Sequence, residues 1–186
     1  MPQQNYDISS FRNTGEDIFV SHLVSIVRPE LVNLGNHVAI DSYLHCSTSL
    51  ETKDYVHISS HVSIIGGKGA LLKMGNFTNI AAGGVIICGS DKFLGHGIVS
   101  APNLPDEFRD ELEIDPVVFD DFVNLGANVT ILPGVYLPQG VVIGACSLVR
   151  KKDNLEPWTI YGGNPLRKIK KRDSTKMLEY AKKMGY

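Results

Sequence analysis

The chain has 186 residues, and its 18 Lys and Arg are balanced by 20 Asp and Glu, which gives a formal net charge of −2. This balance lacks the positive charge expected of a protein that binds nucleic acid. A hydrophobic fraction of 43% with 20% charged residues supports a folded core and excludes a wholly disordered chain. No apolar run reaches the roughly 18 residues that a membrane span requires.

The N-terminus and the cysteines indicate the compartment. Residues 1–7 show no basic flank followed by an apolar run, so no secretory signal is predicted. The three cysteines, Cys46, Cys88 and Cys146, cannot all pair and match no zinc spacing, which predicts reduced thiols that act as packing residues. We therefore expect a soluble cytoplasmic protein with no membrane span and no nucleic-acid partner.

A six-residue period runs through most of the chain. Apolar or nearly apolar residues recur at this period, and a second set follows most of them four residues later. The first set consists of Leu34, Ile40, Cys46, Thr52, Ile58 and Ile64, then Met74, Ile80 and Ile86, then Phe119, Leu125, Ile131, Leu137, Ile143 and Val149. An even period preserves side-chain parity, so it predicts strands rather than a helix, whose period is 3.6 residues.

Residues that tolerate sharp corners recur inside these units. They include Gly and Asn at 35–36, 75–76 and 126–128, which are residue types typical of tight turns. Short strands joined by such corners predict an all-β solenoid of hexapeptide repeats. If three units form one triangular turn, residues 18 apart stack on rungs about 4.7–4.9 Å apart. Leu125 then lies over Ile143.

Two segments interrupt the period. Residues 66–69 are expected to form a bulged corner, and between about residues 88 and 117 the repeat disappears, which is longer than most connections in a compact domain. We expect an inserted loop that covers a substrate site, with a solvated surface excursion as the alternative. Asp91 begins the loop, and its carboxylate could hold a hydroxyl or an ammonium group. Lys92 and His96 are the other substrate-binding candidates.

The C-terminus predicts a short helix from Asp173 to Met184, with Ser174 as its N-cap. Its apolar residues fall on one face and are Met177, Leu178, Ala181 and Met184. We expect this helix to cap the open end of the solenoid. The chain then divides into a solenoid domain of residues 1–172 and a helical cap of residues 173–186.

The repeat resembles that of the hexapeptide-repeat acyltransferases over most of residues 18–165. Each unit of that family begins with an aliphatic residue followed by a small or acidic one, and residues 158–165 resemble the segment with which these enzymes leave the coil. The resemblance implies a left-handed parallel β-helix. It also implies homotrimers that bind acetyl-CoA between neighbouring coils, often with a histidine as the base.

Four histidines fall at even positions of their hexads, so their side chains are expected outside the coil. They are His37, His45, His57 and His61. Residues 56–58, Val-His-Ile, resemble a segment that recurs in sugar acetyltransferases of this group. The resemblance therefore favours His57 as the base, with His61 in reserve.

Two departures from the family pattern affect the assignment of the base. Related nucleotide-amino-sugar enzymes carry a His-Asp-Cys triplet where this chain has Thr48-Ser49-Leu50. Other relatives carry a histidine in the loop after the middle coils, whereas residues 89–93 contain none and His96 follows only later. If neither His57 nor His61 is the base, His96 is the remaining candidate.

Coenzyme A needs an extended slot lined by backbone groups, and cations for its phosphates. Small residues 18 apart predict the slot, because they let a pantetheine arm approach the backbone. They are Gly126 and Ala127, with Gly144 and Ala145 on the next rung. The candidates near the phosphates are Arg150, Lys151, Lys152 and Lys168, beside Asn164 and Pro165.

The resemblance predicts transfer of an acetyl group from acetyl-CoA to an amino or hydroxyl group of a sugar, either a nucleotide sugar or a surface polysaccharide such as lipopolysaccharide. No metal is required, because a base removes the proton of the nucleophile and a backbone amide can stabilise the oxyanion. One alternative is a metalloenzyme of the gamma carbonic anhydrase type, although the spacing of His57 and His61 is not that family's. A non-catalytic solenoid that serves as an assembly surface is the other.

Overall fold

The computed structural model describes residues 5–99 and 101–186, which form a parallel β-solenoid of triangular cross-section. Its strands make three sheets, called walls 1 to 3. Wall 1 contains β1 (Asn13–Thr14), β4 (Val32–Leu34), β7 (Ser49–Thr52), β10 (Leu71–Met74), β15 (Val117–Phe119) and β18 (Tyr136–Leu137). Wall 2 contains β2 (Ile18–Val20), β5 (Val38–Ile40), β8 (His57–Ile58), β11 (Asn79–Ile80), β16 (Asn124–Leu125), β19 (Val142–Ile143), β21 (Thr159–Gly162) and the antiparallel β22 (Arg167–Lys171). Wall 3 contains β3 (Ser25–Ile26), β6 (His45–Cys46), β9 (Ser63–Ile65), β12 (Val85–Ile87), β17 (Thr130–Ile131) and β20 (Leu148–Val149).

Three columns of turns join the walls. Corner A connects wall 1 to wall 2 at residues 35–37, 53–55, 75–77, 120–122, 138–140 and 156–158. Corner B connects wall 2 to wall 3 at residues 41–43, 59–61, 81–83, 126–128 and 144–146. Corner C connects wall 3 to wall 1 at residues 47–48, 66–70, 88–116, 132–134 and 150–153. Short 3₁₀ helices span Ile8–Ser10, Pro29–Leu31 and Asp106–Phe108.

The predicted 18-residue stacking is confirmed. Ile40 pairs with Ile58, and Leu125 pairs with Ile143. The spacing becomes 22 across the four-residue bulge at 66–69, where Leu72 pairs with Leu50, and 45 across the loop, where Leu72 pairs with Val117. The first coil begins at Asn13, before the predicted repeat, because its spacing to the second coil is 20 residues.

The first residues of the hexads fill the interior of the coil. Leu34, Ile58, Ile86 and Ile131 expose 1% or less of their surface. Cys46 and Cys88 are also buried, and burial raises the pKa of their thiols to about 11 and about 12 respectively. Cys146 differs from the prediction, since it lies at corner B and is exposed.

An aromatic column fills corner A. The rings stack from His37 to Tyr55 at 4.5 Å, Tyr55 to Phe77 at 5.1 Å, Phe77 to Phe122 at 5.1 Å and Phe122 to Trp158 at 5.6 Å between centroids. All five residues have positive φ angles, which cost free energy for residues other than glycine. Ring stacking offsets part of this cost. A Cβ at Gly140 would overlap the Trp158 ring, so glycine at this rung lets the indole reach Phe122.

A ladder of Asn and Asp side chains runs beside the aromatic column. The backbone N–H of Asn36 donates to Asp54 at 2.8 Å, that of Asp54 to Asn76 at 3.1 Å, and that of Asn76 to Asp121 at 2.7 Å. Each carboxylate or amide oxygen therefore satisfies a backbone donor of the preceding rung.

The C-terminal helix α1 (Thr175–Lys183) exists as predicted but does not lie over the end of the coil. It lies along corner A, where Tyr186 packs edge-on against Tyr55 and Phe77 and donates to Asp54 at 2.6 Å. Exposed rings at this corner offer an apolar surface to the helix, which explains the position. Ser174 makes no capping bond, and Asp173 accepts from the Thr175 backbone instead. In the described part of the chain, no helix has the length and apolar content to cross a bilayer.

Candidate functional site

Corner B brings the predicted small residues together. Gly126 N–H donates to Ile143 at 2.8 Å, and Gly144 N–H donates to Tyr161 at 2.8 Å, so the two glycines occupy successive rungs. A Cβ added to Gly126 would come within 2.6 Å of the Ala145 nitrogen. Ala145 is exposed. The corner therefore offers accessible backbone rather than side chains to a ligand that runs along the coil axis.

The turn between β21 and β22 extends this corner by one rung. Gly163 N–H donates to Ser147 Oγ at 2.8 Å, and a Cβ at Gly144 would lie 3.7 Å from Gly162. Asn164 and Pro165 are exposed in the same turn. The turn that carries Asn164 and Pro165 thus lies beside the small residues, whereas the sequence analysis placed these two residues with the basic residues.

The predicted cations are dispersed. Arg150, Lys151 and Lys152 lie at corner C, separated from corner B by the width of wall 3. Arg150 pairs with Asp153 at 3.2 Å, and Lys151 pairs with Asp115 at 2.5 Å.

Two cations of β22 lie nearer to corner B. Lys168 binds Glu156 at 2.9 Å, and together with Lys171 it lowers the pKa of that carboxylate to about 2. Arg167 follows the turn directly, in register with Gly162, and among the described residues it has no acidic partner within 4 Å. Arg167 is therefore available to a ligand that reaches this turn. The sequence did not single out Arg167, because one charge in a basic run gives no separate signal.

His57 lies on the outer face of wall 2, half exposed, with Nε2 3.0 Å from Asp41 Oδ2. A neutral ring that donates from Nε2 to this carboxylate keeps the lone pair of Nδ1 as its proton acceptor. Asp41 was not predicted, because a residue 16 positions away lies off the 18-residue spacing. The pair has the geometry of a base oriented by a carboxylate.

Three further histidines face outward, as predicted. His61 belongs to corner B, in the same column as Gly83 and Cys146, and its ring stacks on Tyr43 at 4.8 Å. His45 lies on wall 3, with Nδ1 3.3 Å from Ser25 Oγ, and His37 belongs to corner A. His61 is thus nearer to the small residues than His57. His57 has a carboxylate partner that orients its ring, whereas His61 has none among the described residues. His37 also pairs with a carboxylate, that of Asp17 at 3.1 Å, but it lies at corner A.

The loop residues form a separate cluster at corner C. The strands β13 (Gly89–Asp91) and β14 (Leu112–Ile114) make an antiparallel ribbon in which Asp91 pairs with Leu112. Lys92 Nζ lies 2.6 Å from Glu111, and His96 Nδ1 lies 3.4 Å from the other oxygen of the same carboxylate. The hydrogen bond from Lys92 lowers the pKa of Glu111 and raises that of Lys92.

The structure brings Asp91, Lys92 and His96 together, but away from His57 and His61. These two histidines lie in coil 3, the turn of the solenoid that runs from β7 to β9. Corner C is the edge of the triangular prism opposite wall 2, which carries His57. Within one chain the loop cluster and His57 therefore occupy different sides of the coil. No group of three potential ligand residues in the described ranges, 5–99 and 101–186, is placed to hold a metal ion.

Comparison with known proteins identifies the family. The dTDP-4-amino-4,6-dideoxy-D-glucose acyltransferase of Escherichia coli is 31% identical over 172 residues, covering 91% of this chain and 86% of that enzyme. WbbJ of Escherichia coli K12, named as an O-acetyl transferase of lipopolysaccharide biosynthesis, is 34% identical over 171 residues, with coverages of 91% of this chain and 80% of that protein. No protein-family model matches the chain.

Solved structures agree with these relatives. AntD, an N-acyltransferase from Bacillus cereus crystallised with dTDP and 3-hydroxybutyryl-CoA, superimposes with a TM-score of 0.87 at 28% identity over 99% of this chain and 100% of AntD. A hexapeptide-repeat acetyltransferase from Vibrio cholerae shares the fold at a TM-score of 0.60 and 20% identity, over 88% of this chain and 76% of that one. The chain belongs to the hexapeptide-repeat acyltransferases of left-handed β-helix fold, and within them to the enzymes that transfer an acyl group from acyl-CoA to a sugar.

Proposed function

We propose that this enzyme transfers an acetyl group from acetyl-CoA to the 4-amino group of a dTDP-linked 4-amino-4,6-dideoxy sugar. The main support is similarity along nearly the whole chain to an acyltransferase named for this acceptor and to AntD, which was crystallised with dTDP-4-amino-4,6-dideoxyglucose and coenzyme A. These relatives support the acceptor class, and the corners and walls of the coil support the proposed arrangement of the site.

The accessible backbone of corner B supports a binding position for coenzyme A along this corner. The phosphates of coenzyme A would lie near Arg167 and Lys168 at the last coil, with Asn164 and Pro165 beside them. The pantetheine arm would then run down the column past Gly144, Ala145, Gly126 and Ala127. Three rungs separate the last coil from the coil of Ala81–Gly83, which is roughly 14 Å at the strand spacing. The thioester would therefore arrive beside coils 3 and 4, near His57 and His61.

Arg150, Lys151 and Lys152 fit this path less well. They lie at corner C, one corner away from the small residues. We propose that they contribute only to the positive potential at that end of the coil.

His57 supplies a base at this position. The acceptor nitrogen attacks the thioester carbon, and Nδ1 of His57 accepts the proton that the nitrogen loses. The carboxylate of Asp41 stabilises the imidazolium that forms. The C–S bond then breaks, and the proton passes to the sulfur to give free coenzyme A. If the attack needs no base from the protein, His57 orients the amine instead, and its loss raises the acceptor KM more than it lowers kcat.

A homotrimer would complete the site. The loop carries the acceptor candidates Asp91, Lys92 and His96 on the side opposite wall 2, so a neighbouring copy must bring its loop to His57. The same loop exposes seven large apolar side chains, which indicates a surface covered by another protein. They are Phe93, Leu94, Ile98, Val99, Phe108, Leu112 and Ile114.

Release of coenzyme A, measured with acetyl-CoA and dTDP-4-amino-4,6-dideoxyglucose, tests the acceptor. We expect turnover with the amino sugar and none with dTDP-glucose, which has a hydroxyl at the same carbon. Turnover with neither would refute the acceptor assignment. The identity to WbbJ favours O-acetylation as the second candidate, and acetylation of a polysaccharide hydroxyl without activity on the amino sugar would establish it.

His57→Asn should lower kcat by at least about 100-fold, because general-base assistance is worth about 10²–10⁴ in rate. Folding and coenzyme A affinity should not change. His45→Asn is the matched control, since His45 is also an outward, exposed histidine but lies on wall 3. Full activity of both His57→Asn and His61→Asn would exclude the two histidines and leave His96.

Mixing two inactive variants tests the shared site. Sedimentation equilibrium should give three times the 20.4 kDa chain mass. Refolding His57→Asn together with Asp91→Asn should restore about one quarter of wild-type activity, since half of the chains contribute each intact residue to a site between copies. No recovery of activity would place both residues in one chain's site and contradict the trimer arrangement.

A further inference from the structure

A row of polar side chains on wall 2 begins at His57. Asn79 lies opposite His57 in the neighbouring strand, and Asn124 lies opposite Asn79 in the next. Asn124 Nδ2 donates to Asn79 Oδ1 at 2.6 Å, and Arg172 Nη2 donates to Asn124 Oδ1 at 2.8 Å. Arg172 therefore connects through two carboxamides to the strand beside His57.

The hydrogen bonds along this row run in one direction, from Arg172 to Asn124 to Asn79, because a guanidinium has donors and no acceptor. Arg172 must face the oxygen of Asn124, which turns the Asn124 NH₂ group toward Asn79. The oxygen of Asn79 accepts this bond, so the NH₂ group of Asn79 is left for the side of His57 and the solvent.

Arg172 is itself held in place. Its Nη1 donates to the Phe122 carbonyl at 2.8 Å and the Gly140 carbonyl at 3.1 Å, and its guanidinium carbon lies 5.9 Å from the centre of the Trp158 ring. Arg172, which is anchored at corner A, thus sets the orientation of both carboxamides.

We propose that Asn79 is a catalytic residue whose Nδ2 donates a hydrogen bond to the thioester carbonyl oxygen as that oxygen becomes an oxyanion. This inference rests on the proposed function, since the reaction must take place beside His57. Asn79 precedes corner B by two residues, at the rung where the pantetheine arm would end. Asn124 and Arg172 are positioning residues that aim the donor before the substrate binds.

The step balances without another reactant. The acceptor nitrogen forms a bond to the carbonyl carbon while the C=O electron pair moves to oxygen, where Asn79 stabilises the negative charge. His57 accepts the proton from the nitrogen. The oxyanion then re-forms the double bond, the C–S bond breaks, and the sulfur receives the proton from His57.

Asn79→Ala and Asn79→Asp should lower kcat by about 10²–10³, the loss observed when one oxyanion donor is removed. The KM for acetyl-CoA should change by less than about threefold in both variants. In Asn79→Ala the midpoint of the pH profile should not move, because the base is retained and no charge is added beside it. The assay uses the full chain with acetyl-CoA and dTDP-4-amino-4,6-dideoxyglucose.

Asn124→Asp separates positioning from stability. A carboxylate at this position still binds Arg172 but cannot donate to Asn79. Asn79 then rotates to donate to the new carboxylate and presents its oxygen to the substrate. We expect kcat to fall about as far as in Asn79→Asp while Tm is maintained. If the row only stabilises the fold, a variant that keeps the wild-type Tm should also keep the wild-type kcat.

The outcomes distinguish this inference from the proposed function. If His57→Asn is inactive but the Asn79 and Asn124 variants keep wild-type kcat, the oxyanion role is wrong and the base assignment stands. If the Asn variants lose kcat while His57→Asn is fully active, Asn79 stabilises the oxyanion and the base assignment is wrong. Should Asn79→Ala fail to fold, Asn79→Asp and Asn124→Asp provide the same readout.

Discussion

Corners A and B share one backbone conformation but carry different side chains. Both place a residue with positive φ on nearly every rung, for example Phe122 at 64° and Cys146 at 57°. Corner A fills these positions with stacked rings and is covered by residues 172–186. Corner B carries small residues above coil 3 and is left uncovered by the chain. One turn geometry thus supports ring stacking at one edge and leaves the backbone accessible at another.

The largest effect is expected where the rings are removed from corner A. Phe122 is 8% exposed and stacks between Phe77 and Trp158. Phe122→Ala should reduce the free energy of unfolding by about 3–5 kcal/mol, which corresponds to a fall in Tm of roughly 10 °C. Cys146→Ala at the equivalent turn of corner B should change stability by less than about 0.5 kcal/mol. Equal losses in the two variants would contradict the division between the corners.

The second prediction concerns a larger side chain introduced at corner B. Gly144→Val should raise the Kd of coenzyme A at least tenfold, about 1.4 kcal/mol, because the branched side chain occupies the slot of the pantetheine arm. Gly144→Ala is the matched control, since its Cβ would lie 3.3 Å from the Tyr161 oxygen and needs little adjustment. Calorimetric titration with coenzyme A measures both variants, and unchanged affinity in Gly144→Val would place the slot on another face.

The smallest change in stability is expected in the C-terminal segment, residues 172–186, that covers corner A. The hydrogen bond from Tyr186 to Asp54 is the main cause that lowers the pKa of Asp54, and it raises the pKa of Tyr186 to about 12. A lowered carboxylate pKa stabilises the fold above about pH 4, and a raised phenol pKa stabilises it below about pH 10.

Tyr186→Phe should therefore lower Tm slightly and by a constant amount between about pH 5 and 9. The difference from wild type should shrink as the pH falls through the lowered pKa of Asp54, and again as it rises through about 12. Thermal unfolding across this pH range is the measurement. A difference that is largest at the extremes of pH would show that the hydrogen bond is not its source.

The sequence predicts the coil well because its interior is periodic. Within each uninterrupted run the inward residues obey the six-residue rule, so the pairing of Phe119 with Leu137 could be predicted without coordinates. The first coil was missed because its 20-residue spacing breaks the rule. The helix was placed wrongly because the apolar surface it covers consists of corner residues, which the period of the core does not reveal.

The site is only partly predictable, since outward positions carry no hydrophobic signal. The stacking of Gly126 and Gly144 could be predicted because the two residues obey the 18-residue spacing. The pairing of Asn79 with His57 was not predicted, although adding the four residues of the bulge to that spacing places the two residues opposite each other. Arg150 was grouped with corner B by sequence proximity, but a six-residue step along the chain moves to the next corner.

The inserted loop also bears on how such enzymes can change acceptor. The chain leaves and re-enters the coil at neighbouring points, where Asp115 N–H donates to the Cys88 carbonyl at 3.1 Å. The rung above resumes in phase, with Val117 beside Leu72. A segment of different length between these points would therefore leave the register of the coil unchanged. Under the proposed function, in which the loop carries the acceptor candidates and corner B the coenzyme, acceptor choice could then diverge among relatives independently of the acyl donor.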